Sequence, residues 1–166
     1  MLTATAEAGA WQVLGQRPLN LPTLAPGEPC PQTRGRQVTR FYAAALGNGP
    51  VYPVGLGTDG VLHYGESGET GEWAYVKVLW IKSSKYTGPA LIRGHQIDGP
   101  NELRFEAGSD PPSELQFPPE GTAVSPGVAW GWKERPSYTR VRASGCYAYQ
   151  VDGLDFSLVI VFQAVP

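Results

Sequence analysis

Few residues in this chain are of types that do chemistry, and their spacing selects no reaction. The 166 residues contain two histidines, His63 and His95. A three-histidine zinc site is excluded, and a mixed site would need a carboxylate such as Asp59 or Asp98. The two histidines lie on different segments without ligand-like spacing, so a surface or loop-bonding role is favoured and no metal is expected. Glu66, Glu69 and Glu72, with Asp59, could offer oxygen ligands to Ca²⁺. They do not match the spaced ladder of an EF-hand, and a solvated acidic loop from Gly65 to Glu72 is the preferred reading. Fifteen acidic residues permit many carboxylate pairs, but nothing singles out one for glycoside hydrolysis. Ser144-Gly145-Cys146 lacks the nucleophile-elbow pattern, and no histidine is near it in sequence. A hydrolase with a carboxylate or metal site stays open as a lesser alternative. No catalytic residue or cofactor is assigned.

Aromatic residues are the better candidates. Trp11, Trp73, Trp130 and Trp132, with Tyr86 and Tyr138, exceed what one core needs. If extended, Trp130-Gly131-Trp132 places two indoles on the same side. We take Trp130, Trp132 and Tyr138 as candidate ligand-binding residues, able to stack on sugar rings or anchor a partner protein. The alternative is a lid over one end of the core.

Composition limits the rest. Gly (21) and Pro (16) interrupt almost every run, which excludes long helices. Aromatic content of 11% is still enough to anchor packing, so disorder is not implied. With net charge −2, and Arg34, Arg36 and Arg40 as the nearest approach to a basic cluster, nucleic-acid binding is not expected. No apolar run is long enough for a transmembrane helix. Cys30 and Cys146 are even in number and far apart, which reads as a disulfide or as two separate buried thiols. A secreted-looking composition favours the disulfide. Met1 to Ala10 is no intact signal peptide. Its small residues resemble the start of a mature exported chain, and they are expected to form a loose end.

From Trp11 to Pro31, prolines at 18, 22, 26, 29 and 31 forbid both a helix and a central strand. With Leu19, Leu21 and Leu24, this segment reads as an extended strap. Docking on a neighbour is one role for it; lying over its own domain and closing an open edge is the preferred one. Arg36 to Leu46 fits both helical and alternating spacing, and its Gly-rich flanks favour strand. Val51 to Leu56, broken by Pro53, reads as an edge strand, and Val61 to Tyr64 as a brief one. Trp73 to Lys82 is apolar on both faces and should be central. Ala90 to Arg93, Leu103 to Phe105 and Leu115 to Phe117 complete a series of short strands with turn signals about every ten residues.

The closing stretch carries the clearest pattern. Tyr147, Tyr149 and Val151 alternate with Ala148 and Gln150, Asp152-Gly153 reads as a turn, and Phe156 to Phe162 returns as an apolar strand. That is a β-hairpin. Ala143-Ser144-Gly145-Cys146-Tyr147-Ala148-Tyr149-Gln150-Val151 resembles strand F of immunoglobulin-like domains, and in particular those of uncharacterised bacterial envelope proteins. The resemblance covers about the last thirty residues. It implies that Tyr147 acts as the tyrosine of a tyrosine corner, its hydroxyl bonded to nearby backbone and its ring packed inward. Tyr149 would stand where antibody domains place their second cysteine, so the antibody-type bridge is absent. Trp80 resembles the core tryptophan of strand C.

The expected fold is an all-β, immunoglobulin-like antiparallel β-sandwich with a Pro-rich N-terminal strap: residues 1–31 form tail and strap, 32–166 the sandwich. The expected function is a non-catalytic extracellular or cell-envelope module acting through protein contacts, including self-association. A carbohydrate-binding module is the alternative, with polysaccharide as ligand. Fold-level resemblance says little about activity.

Overall fold

The computed structural model describes residues 4–65, 73–123 and 130–166. Most of the acidic loop, Glu66, Glu69 and Glu72 included, lies outside these residues. The described residues form two facing β-sheets and one short helix. In the first sheet the order is β1 (Gly35–Arg36), β2 (Ala45–Leu46), β3 (Val51–Val54), β5 (Ala74–Lys82), β9 (Lys133–Val141) and β7 (Arg104–Phe105). The second runs β4 (Val61–His63), β11 (Ser157–Val165), β10 (Gly145–Gly153), β6 (Ala90–Gln96) and β8 (Glu114–Phe117). All pairings are antiparallel except the parallel β4–β11 pair. Long strands occupy the middle of each sheet, where the core-facing positions carry β-branched and aromatic side chains such as Val78, Trp80, Tyr149 and Phe162.

The closing hairpin forms as expected, with Tyr147 opposite Phe162 and Val151 opposite Leu158. Its turn lies two residues beyond the Asp152-Gly153 pair, where the Gly153 N–H donates to the Phe156 carbonyl at 3.0 Å. Asp152 instead stays inside β10, fully buried. Its carboxylate accepts hydrogen bonds from Arg93, Gln150 and Ser157 at 2.8–2.9 Å. A charge so well satisfied can remain in a strand that an Asp-Gly pair would ordinarily end.

Alternation along β10 divides its side chains. Tyr147, Tyr149 and Val151 enter the core between the sheets. Tyr149 stacks on Phe162 at 4.5 Å and meets Trp80 edge-on at 5.0 Å. Its hydroxyl shares a 2.8 Å hydrogen bond with Thr139. The Tyr147 hydroxyl donates to the Ala143 carbonyl at 2.9 Å, just before the strand begins. Trp80 is fully buried. However, it stands on β5, in the sheet facing β10, and not on a strand beside β10 as the strand C match implied.

The opposite side of β10 is covered by the N-terminal segment. Residues 4–10 are not a loose end, and Trp11 to Gly15, ahead of the first proline, are not part of the extended strap: together they form a helix, α1 (Ala4–Gly15). Its alanines cost nothing in helix propensity, and Glu7 in the first turn suits the helix dipole. Arg17 follows and donates to the carbonyls of Gly153, Leu154 and Phe156, gripping the β10–β11 turn. The strap then crosses the outer face of the second sheet rather than closing an edge. The Asn20 N–H and the Pro18 carbonyl bond the side-chain amide of Gln150. Leu21 and Leu24 pack with Ile97, Ala148 and Val161, while Leu19 faces outward. The Cys30–Cys146 disulfide, Cα–Cα 5.5 Å, ties the far end of the strap to β10. Arg36 to Leu46 is strand only at Arg36, the end of β1, and at β2, with bends and a turn between them.

Candidate functional site

Strand register gathers one set of loops at one end of the sandwich. Val51 and Lys133 both pair with Lys82, and Gly153 and Phe117 both pair with Ala90. The turn before β3, the β5–β6 loop, the residues leading into β9 and the β10–β11 turn therefore converge. Backbone and hydroxyl bonds tie them together. The Ser83 N–H donates to the Pro50 carbonyl at 3.0 Å. Tyr86 Oη donates to the Pro89 carbonyl at 2.6 Å and accepts from the Leu154 N–H at 2.8 Å.

Between these loops lies an open cleft of about 370 Å³. Tyr52, Tyr86 and Phe156 supply its aromatic walls, and Asn48, Ser83, Lys85 and Asp155 its polar groups. Tyr86 meets Phe156 edge-on at 4.8 Å. Beyond Tyr52 the aromatic surface continues: Trp132 lies 6.3 Å from Tyr52 and 5.9 Å from Tyr42. Trp130 rests against Phe41 at 5.8 Å, and the Arg40 guanidinium stands over both rings at 5.2 and 5.3 Å.

Trp130 and Trp132 thus both belong to this end, in unequal roles. Gly131 takes φ 84°, a left-handed turn that prevents the extended conformation in which both indoles would share a side. A Cβ there would also lie 2.8 Å from Ser84. Trp132 turns inward and is half-buried on the cluster that contains Tyr42, Tyr52 and Ile81. Trp130 is 62% exposed. Tyr138 does not join them. Six residues of extended chain, about 20 Å, separate it from Trp132, and it packs edge-on against Tyr75 at 5.3 Å.

Below the cleft, Lys82 closes the core. It is fully buried, and its Nζ donates to the carbonyls of Gly88, Pro119 and Pro118 at 2.5, 3.0 and 3.4 Å. The rings of Phe117 and Tyr86 lie 4.9 and 5.6 Å from the ammonium. Desolvation lowers its pKa to about 8, against the opposing attraction of Glu120. Enclosed in this way, the amine is a pin holding two loops together. Burial also raises the Tyr86 phenol and pushes Tyr147 up to about 12.

The histidines do not meet. His63 is exposed on β4 and His95 sits on β6, with β11 and β10 between. Three strand spacings put them about 14 Å apart or more. Among the described residues no group of three His, Cys, Asp or Glu could hold a metal. No helix among them is long and apolar enough to cross a membrane. Arg40, Phe41, Tyr52 and Lys82 escaped the sequence reading as site residues. Only Lys82 had a usable signal, since alternation from Val78 and Trp80 puts it on the core side. Compared with known proteins, the chain has no significant match to any family model, curated protein or solved structure.

Proposed function

We propose that this chain is a non-catalytic, immunoglobulin-like module of the cell exterior or envelope, acting through protein contacts at the loop end of its sandwich. The observation that carries the reading is Trp130, 62% exposed beside Phe41 and Arg40, with the half-buried Trp132 two residues on packed on Tyr52. Trp, Tyr and Arg are the side chains that dominate protein-interface energetics. The immunoglobulin-like assignment is supported by topology: β3-β5-β9-β7 follows the A-B-E-D order and β6-β10-β11 the C-F-G order of constant-type domains. The Tyr147 bond to Ala143 supports it too. The disulfide supports an oxidising compartment. Strand addition is the weaker route, because the edge strands β1, β7, β4 and β8 have only 2, 2, 3 and 4 residues.

A second copy of the chain is the first partner to test. Sedimentation velocity over a wide concentration range should show reversible self-association that Trp130→Ala abolishes. A strict monomer at the highest concentration removes the assembling form of the proposal. The aromatic cleft beside Tyr52 favours carbohydrate binding as a second reading. Titration with neutral polysaccharides should then change tryptophan emission, and silence across a broad panel removes it.

A further inference from the structure

We infer that the outer face of the first sheet carries a separate binding site for an acidic sugar, built around Tyr138 and Arg140. Register places Tyr75 opposite Arg140 and Lys77 opposite Tyr138, so these four side chains form a square on that face. The chain after β7 overhangs it. Glu106 there holds φ 69°, a conformation rare for a residue with a side chain. Its N–H donates to the Tyr138 carbonyl at 3.1 Å, and further contacts keep it in place. Its carboxylate accepts from Ser137 Oγ at 2.9 Å and pairs with Arg135 at 3.1 Å, while its carbonyl accepts from Arg140 at 2.9 Å. Under this overhang open two recesses, of about 180 Å³ beside Tyr75 and Arg140 and about 250 Å³ beside Lys77 and Pro136. Tyr138 and Ala107 line both, which makes the Tyr138 side chain a ridge between them.

Charge gives the recess its preference. Arg140 is only 4% exposed, yet no carboxylate lies within ion-pair distance among the described residues. Its guanidinium is held by four backbone carbonyls, those of Trp73, Ala74, Glu106 and Gly108. Carbonyl dipoles solvate the cation but leave its net charge in a poorly polarisable setting, where an anion is strongly attracted. The exposed Lys77 likewise has no carboxylate partner among the described residues, and the Glu106 carboxylate is engaged with Ser137 and Arg135. An anionic group is therefore drawn towards Lys77 and Arg140. Two small recesses divided by an aromatic ring suit the rings of an oligosaccharide better than an extended peptide, which needs a groove, or a helix, which needs an apolar face. This site lies apart from the Trp130 surface and does not depend on the reading given for it.

Calorimetric titration of the full chain with a short oligogalacturonate tests the inference, beside a neutral oligosaccharide and a polyglutamate peptide. Oligogalacturonate alone should bind, and more weakly as salt rises. Lys77→Glu should weaken binding roughly tenfold or more by reversing a charge at the rim. Tyr138→Ser should weaken it as well, with both variants keeping the parent melting temperature to show that they are folded. Absence of oligogalacturonate binding, equal binding of the neutral sugar, tighter binding of polyglutamate, or indifference to both substitutions would each overturn it.

Discussion

Removing the Cys30–Cys146 bridge should cost more stability than any surface change, and its size follows from where the two cysteines sit. They are 116 residues apart in sequence. In the chain-entropy model, releasing a loop of that length frees about 16 cal/mol/K in the unfolded ensemble, or about 5 kcal/mol at 25 °C. The folded state has other holds on the strap: Arg17 on the β10–β11 turn, Gln150 on Pro18 and Asn20, and the Leu24 N–H on the Ile97 carbonyl at 2.9 Å. The Cys30→Ala/Cys146→Ala chain should therefore still fold, with the loss expressed mainly through a freer unfolded state. For a chain of this size about 5 kcal/mol corresponds to a melting temperature lower by roughly 10–20 °C. Thermal melts followed by circular dichroism, with calorimetry for the enthalpy, measure this directly. Urea titration adds an independent reading, because a less constrained unfolded chain exposes more surface and raises the m-value. An unchanged melt in the double variant, or two thiols that titrate freely in the native protein, would refute the reasoning.

Other outcomes follow from single groups. Tyr147→Phe leaves the Ala143 carbonyl without its hydroxyl donor and should cost about 1–2 kcal/mol in urea unfolding; a loss too small to resolve contradicts a structural role for that hydroxyl. Lys82 has a folded pKa of about 8, below its ordinary 10.5, so between these values the unfolded chain binds more protons and stability rises with pH, by about 3 kcal/mol from this group alone. Lys82→Met should flatten that rise in urea midpoints measured from pH 7 to 10, and an identical slope in both proteins refutes the assignment. Tyr147 has the opposite sign: its pKa is raised to about 12, so its contribution is complete below the ordinary phenol value and is lost as pH climbs from about 10 towards 12. Tyr147→Phe should remove part of the alkaline loss, read as the change in midpoint over that range. Trp130→Ala should shift stability by less than about 0.5 kcal/mol, whereas Trp80→Ala should cost about 3–5 kcal/mol; comparable losses in denaturant midpoints would contradict the exposure assigned to Trp130.

The sandwich was legible because its signals are local. Period-two alternation from Tyr147 to Val151 needs no knowledge of the partner strand, and apolar residues on both faces mark Trp73 to Lys82 as a central element. Misreadings arose where a local signal met a tertiary competitor. Asp152-Gly153 has turn chemistry, but Arg93, Gln150 and Ser157 reach the carboxylate from β6 and β10–β11 and keep it in the strand. Small residues before Trp11 suit a loose end, but alanine is also a strong helix former, and the helix needs only a surface for Leu14 to bury against. Gly131 permits an extended Trp130-Gly131-Trp132 on paper; the folded chain takes a left-handed turn there, with no room for a Cβ beside Ser84 on another loop.

What the chain's own order of residues determined is the kind of object this is: short apolar strands, punctuated by glycine and proline, with two cysteines far apart along the chain. That much is encoded within a few residues at a time, since pleat, turn and breaker each act on their immediate neighbours. Which aromatics face solvent, which carbonyls receive the buried charges of Arg140 and Lys82, and that the strap crosses a sheet face were decided only by packing. Those features depend on residues brought together from distant segments, and nothing in their separate stretches of sequence records the meeting.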